Sequence, residues 1–228
     1  MLKQFLFGFP VIKQSINKNL YDKEKIVSDI LYNYNIDVNR NNWDSEEVKY
    51  GRPTSNLHHS YCDSNNNNFI EIDYSKLIPV YDEMVSNAIN QIFFKKRVKF
   101  NYTIKNYSCI KESHYMRDHV HLGCDFAGVH YLKFNKDEHF ATTFINTNKH
   151  SRYADKLLPA LSDELDSSSI ENSWIYEYFS LDTDEDDFII TPGLNEHAVP
   201  YHKNCKDHRI TIAININIES VKWNQMLK

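Results

Sequence analysis

The chain has 228 residues, of which 41% are hydrophobic and 14% aromatic, enough for one sizeable domain or two small ones. Its formal net charge is −5 and its densest basic cluster is Lys95-Lys96-Arg97, which disfavours a nucleic-acid groove. No stretch reaches the roughly 18 to 20 apolar residues of a membrane span, and the four cysteines, Cys62, Cys109, Cys124 and Cys205, form no CxxC pair, which argues against a structural zinc site or a disulfide framework and for a reducing, cytoplasmic setting.

In chain order, the apolar segment 1–10 is too short for a span and lacks a cleavage site, and it predicts a first strand. Asp22 can cap a helix over 22–31, where Ile26, Val27, Ile30 and Leu31 fall at helical spacing. Residues 36–68 are polar and irregular. The adjacent His58 and His59 would project to opposite faces of a strand, so they and Cys62 read as a surface loop. The clearest helix is 74–94, with Leu77, Ile78, Tyr81, Met84, Val85, Ala88, Ile89 and Ile92 on one stripe, a stripe for packing across a sheet.

From residue 99 the pattern becomes short strands separated by polar turns: 99–105, 107–112, 128–134, 140–145, 174–181, 187–191 and 209–218. The expected organisation is therefore a single domain over 1–228, mainly β. Residues 1–98 supply a strand and helical support, and 99–218 form a sandwich or barrel core. Residues 146–173 read as a polar insertion with a short helix over 152–165, either a lid or a surface excursion. The acidic run 182–187 lacks the Gly and Glu of a calcium loop and reads as a charged turn.

The chemistry centres on His119-Val120-His121. In an extended chain residues two apart share a face, so both imidazoles can converge on a metal. With 11 histidines in the chain such a pair is weak by itself. His197, in the turn after 188–192, is the best candidate for a third ligand. Twelve positions later Arg209 opens an alternating strand in which Thr211 lies on the same face, a pairing suited to bidentate capture of a carboxylate.

These residues carry a resemblance. A His-x-(Asp or His) pair before a strand, a distal His and an Arg-x-(Ser or Thr) about a dozen residues later are similar to the 2-oxoglutarate and Fe(II)-dependent oxygenases. More narrowly, His119-x-His121 followed by 125–132, with segments 188–200 and 208–215, resembles the HxH, SGVYYL, FPSxLxH and RxS signatures of an oxygenase family common in bacteria and marine phages. The likeness covers about residues 100 to 218. It implies a double-stranded β-helix (jelly roll, cupin-like) and a dioxygenase that uses Fe(II) and 2-oxoglutarate. It also implies metal ligation by His119, His121 and His197, with Arg209 and Thr211 on the distal carboxylate.

Because His121 stands where most such enzymes have a carboxylate, three ligand sets remain open. They are the three histidines, which the HxH motif favours, or a set in which Asp125 or Asp118 supplies the missing carboxylate. Tyr131 and Tyr107 could each offer a phenol to the cosubstrate, Tyr131 being the candidate carried forward, although core packing suits either tyrosine better, and His130 reads as structural. Two other functions fit the same residues: a three-histidine iron dioxygenase that needs no 2-oxoglutarate, and a non-catalytic jelly-roll binding module. The substrate, a small molecule or a protein side chain, is not encoded in any of these patterns.

Overall fold

A computed structural model describes residues 2–37, 56–60, 68–92, 98–148, 164–166 and 169–219. Nine strands account for most of it: β1 (Leu2–Leu6), β2 (Phe9–Ser15), β3 (Asn56–His59), β4 (Lys99–His119), β5 (Phe126–Lys133), β6 (Thr143–Ile145), β7 (Tyr178–Ser180), β8 (Asp187–Pro192) and β9 (His197–Glu219). Among the described residues two long α-helices stand outside them, α1 (Lys23–Ile36) and α2 (Ile78–Asn90), with short 3-10 turns at Lys18–Leu20 and Ile170–Ile175. All strand pairings are antiparallel, and the larger sheet runs β1-β2-β8-β5-β9-β4-β3. A smaller sheet forms where β6 pairs with β7 and with the start of β9. The long strands β4 and β9 therefore serve both sheets, and the mainly β, jelly-roll expectation holds.

Alternation in β9 explains the layering. Ile210, Ile212, Ile214 and Ile216 are each fully buried on one face, where they join Val80, Tyr81, Val85, Ala88 and Ile89 of α2 and Ile26 and Ile30 of α1 in one apolar cluster. Each isoleucine or valine among them contributes about 1.5–3 kcal/mol by leaving water. The opposite face carries Arg209, Thr211, Ala213 and Asn215 and looks toward the smaller sheet. Between the sheets lies a second cluster, in which Tyr131 and Ile189 meet Phe144, Phe179 and Leu181.

Several elements differ from the sequence reading. The first strand is a hairpin, because Phe7 and Gly8 both take positive φ (53° and 89°), the geometry of a tight two-residue turn. Asp22 caps α1 through the Lys25 N–H, but the helix continues to Ile36. The segments read as two strands, 99–105 and 107–112, are one strand whose pairing slips between Ile104 and Asn106. The extra residue reverses the alternation, so Ile104 and Tyr107 both pack on the helical side. The acidic run is the charged turn expected: Lys23 pairs with Glu185 and Asp186, and Ser15 donates to Asp187. The helix read over 152–165 lies outside the described residues except for its last two, and Lys95-Lys96-Arg97 and Cys62 also lie outside them. Among the described residues no helix is long and apolar enough to cross a membrane.

The surface-loop reading of His58 and His59 is overturned. They occupy β3 and are 0% and 6% exposed, and their side chains leave opposite faces, as adjacent strand residues must. On the helical side His58 joins Asp37 through Nδ1 (2.7 Å) and the Tyr107 hydroxyl through Nε2 (3.0 Å). Asn33 donates to the same hydroxyl at 2.8 Å. This buried network fixes α1 to the sheet and places Tyr107 on the helical side. His130 is likewise structural, bonded through Nδ1 to the Tyr81 hydroxyl at 2.9 Å.

Close packing of β5 against its neighbours yields a test. A Cβ at Gly128 would lie 2.7 Å from Ile214 Cγ1 and 2.9 Å from Phe188 Cε2, both in fully buried side chains. Gly128→Ala is expected to destabilise the protein by about 1–3 kcal/mol through overpacking, read as a lower urea midpoint at unchanged slope.

Candidate metal centre

The pairing of β4 with β9 places His119 directly opposite His197. Their ring centroids are 4.3 Å apart. His121 lies just beyond the end of β4, in a turn laced to the turn after β8. Its N–H donates to Gly193 O (2.8 Å), and the Gly193 N–H returns to Asp125 O (3.0 Å). A Cβ at Gly193 would stand 2.7 Å from His121 O and 2.8 Å from Cys124 O, so glycine is what lets the two turns touch. The result brings one ligand atom from each of His119, His121 and His197 within 4.8 Å of one another.

Each imidazole is held by its Nδ1 atom. His119 donates to Arg117 O (2.7 Å), His197 to Asn195 O (2.8 Å), and His121 to Asn215 Oδ1 (3.3 Å). An oxygen acceptor requires the proton on Nδ1, so in the neutral ring the lone pair sits on Nε2. Burial, with the nearby His119 charge, pushes His197 down to about 3. The same two causes lower His121. Both rings are therefore neutral near pH 7, the form that binds a metal.

Three imidazole nitrogens whose second nitrogens are each fixed by an oxygen fit a first-row transition metal such as iron, nickel or zinc, and leave positions on an octahedral ion open to other ligands. Asp125 is not drawn into this group: its carboxylate accepts from the Ile218 N–H at 2.7 Å. Asp118 is exposed on the strand and is also outside the cluster. Among the described residues the converging set contains histidines alone.

Beside His197 a pocket opens between the sheets, lined by Ala127, Val129, Tyr131, Thr142, Phe144, Ile189, Thr191 and His197. Its free volume is about 10 Å³, space for about one water. At its far end the Tyr131 hydroxyl donates to Thr142 Oγ1 (2.7 Å) and accepts from the Thr142 N–H (2.9 Å). Arg209 packs behind, its Cζ 5.4 Å from the Tyr131 ring centroid. Arg209 is 1% exposed, and its Nε donates to Phe140 O at 3.2 Å. Among the described residues no carboxylate pairs with it. Thr211 shares its face, but the Thr211 hydroxyl is engaged with Ser108 Oγ at 2.8 Å.

Asn215 and Thr142 are the site residues that sequence reasoning missed. Asn215 was legible in part, since it has the parity of Arg209 and Thr211 in the alternating run. Thr142 gave no signal, because only the cross-sheet contact with Tyr131 distinguishes it.

No family description matches the chain, and no curated protein matches it. Solved structures with similar folds include a Pseudomonas putida prolyl-4-hydroxylase, with TM-score 0.47, 7% identity, and coverage of 92% of this chain and 93% of that one. A prolyl hydroxylase from Trichoplax adhaerens, in complex with a hypoxia inducible factor peptide fragment, gives TM-score 0.47 and 11% identity over 92% and 83% of the two chains. HygX from Streptomyces hygroscopicus, with nickel and 2-oxoglutarate bound, gives TM-score 0.44 and 12% identity over 92% and 82%.

Two outcomes are expected from this geometry. Gly193→Ala should push the His121 turn away from β8 and weaken metal binding at least tenfold in a chelator competition, an order of magnitude set by ligand misplacement. Stability of the metal-free protein should also depend on acid. Unfolding releases His197 from about 3 to its ordinary 6.5, so between those values the unfolded chain binds the extra proton. That contribution is fully present above pH 6.5 and is lost as pH falls toward 3. Urea melts across this range should show it, with a shallower acid slope for His197→Gln.

Proposed function

We propose that the chain is a non-haem Fe(II), 2-oxoglutarate-dependent dioxygenase that hydroxylates a substrate held in front of the histidine cluster. The observation that carries this reading is Arg209. A buried guanidinium without a carboxylate costs several kcal/mol, none pairs with Arg209 among the described residues, and Tyr131, against which it packs, lines the pocket that reaches His197. A dicarboxylate that engages a metal at one end and a cation at the other satisfies both groups at once.

In this reading His119, His121 and His197 hold Fe(II) through their Nε2 atoms. When bound together, iron and 2-oxoglutarate supply an oxidant that inserts one oxygen atom of O₂ into a C–H bond while the cosubstrate loses CO₂ and becomes succinate. The protein's share is binding and orientation. Arg209 neutralises the distal carboxylate, with the Tyr131 hydroxyl and Thr142 beside it, and Thr211 backs the anchor through its bond to Ser108. Val129, Phe144 and Ile189 supply dry walls that exclude water and strengthen the ion pair, and they must part to admit the cosubstrate. His197 and His121, neutral by burial, keep their lone pairs available.

The absence of a carboxylate from the cluster among the described residues favours a second reading on the same site, a three-histidine dioxygenase that takes no 2-oxoglutarate. Anaerobic titration of the Fe(II)-loaded protein with 2-oxoglutarate separates the two. The main reading expects a visible charge-transfer band in the wild type and an apparent affinity about 10- to 100-fold weaker in Arg209→Gln, the loss of a charge-assisted pair. Iron binding without any band would overturn it in favour of the second.

A further inference from the structure

The three imidazoles are not held alike. His119 and His197 each donate to the backbone carbonyl two residues earlier, Arg117 O and Asn195 O, acceptors that come with the chain itself. His121 lies past the end of β4 and donates to a side chain 94 positions away, Asn215 Oδ1, over the longest of the three distances. Asn215 sits mid-strand on β9, between Thr103 of β4 and Ala127 of β5, on the face that carries Thr211 and Arg209. His121 meets His197 with ring planes only 14° apart at a centroid distance of 5.2 Å, so rotation about its own bonds would turn Nε2 out of the cluster.

We propose that Asn215 is a positioning residue: its amide oxygen keeps the proton on His121 Nδ1 and fixes the ring plane, so that Nε2 faces the other two ligands. This rests on the three-histidine metal reading. The amide also sets the charge of the site, because a neutral acceptor behind a neutral imidazole leaves the metal's charge uncompensated by the protein. A carboxylate at 215 would accept more strongly and add the missing negative charge in the arrangement of carboxylate, histidine and metal. Leucine at 215 fills similar space and accepts nothing.

Two readouts test this without turnover. Anaerobic competition of Fe(II) or Co(II) against a chelating dye should give one equivalent bound to the wild type, binding about 10- to 100-fold weaker in Asn215→Leu, and binding at least as tight as wild type in Asn215→Asp. Long-range ¹H–¹⁵N correlation of the histidines in the metal-free protein should show His121 protonated on Nδ1 in the wild type, with that tautomer depleted in Asn215→Leu. Unchanged metal affinity and an unchanged tautomer in Asn215→Leu would overturn the role of Asn215 while leaving the metal site standing. A wild type that binds no metal would overturn the underlying reading, and the tautomer would still decide what holds His121. If Asn215→Leu does not fold, the wild-type spectrum and the Asp variant carry the test: His121 protonated on Nε2, or metal binding weakened by Asp, refutes the proposal.

Discussion

The antiparallel pairing of β4 with β9 is the constraint on which the rest of the molecule depends. The pairing runs from Lys99 opposite Glu219 to His119 opposite His197, with register shifts after Ile104 and at intervals from Ile110 to His119, so the same two strands that pair in the core also carry two of the three histidines to one end. Side chains directly opposite across such a pair are about 4.5–5.5 Å apart at Cβ, which is why two imidazoles distant in sequence meet without any special loop. His121 is then added by a turn that cannot drift, because the laced contact with Gly193 ties it to β8.

Strand β9 also divides the chemistry by parity. Its isoleucines anchor the helical layer, while the alternate residues pass from Asn215 at the histidine cluster to Arg209 behind Tyr131 and the inter-sheet pocket. One slip in register would exchange the two sets, so the apolar packing that stabilises the sheet also fixes which residues face the site. The electrostatics are unusual for a buried centre. Among the described residues the converging set contains histidines alone and no carboxylate pairs with Arg209, and the proposed function assigns that deficit of negative charge to an anionic cosubstrate.

Local elements were legible where a single segment carries its own signal. Asp22 and the apolar spacing after it gave α1, the stripe from Val80 to Ile89 gave α2, and strict alternation gave the second half of β9. Where the signal is a phase change it misled: the irregularity after Ile104 split one strand into two, and the Phe7-Gly8 turn went unseen because phenylalanine seldom takes positive φ. His58 looked exposed because its burial is created with Asp37, Asn33 and Tyr107, which come from two other elements.

For the site, the sequence by itself determined the residue types and their order: a histidine pair two apart, a distal histidine, and an arginine with a hydroxyl residue on the same strand face. Spacing along one chain can fix such parity because strand geometry is local. Only the tertiary structure decided which groups converge. It left Asp125 on the Ile218 N–H, turned the Thr211 hydroxyl to Ser108, brought Thr142 to Tyr131 and set Asn215 against His121. Each of these is a contact between elements far apart in sequence, settled by sheet register and cross-sheet packing, which a linear pattern does not contain.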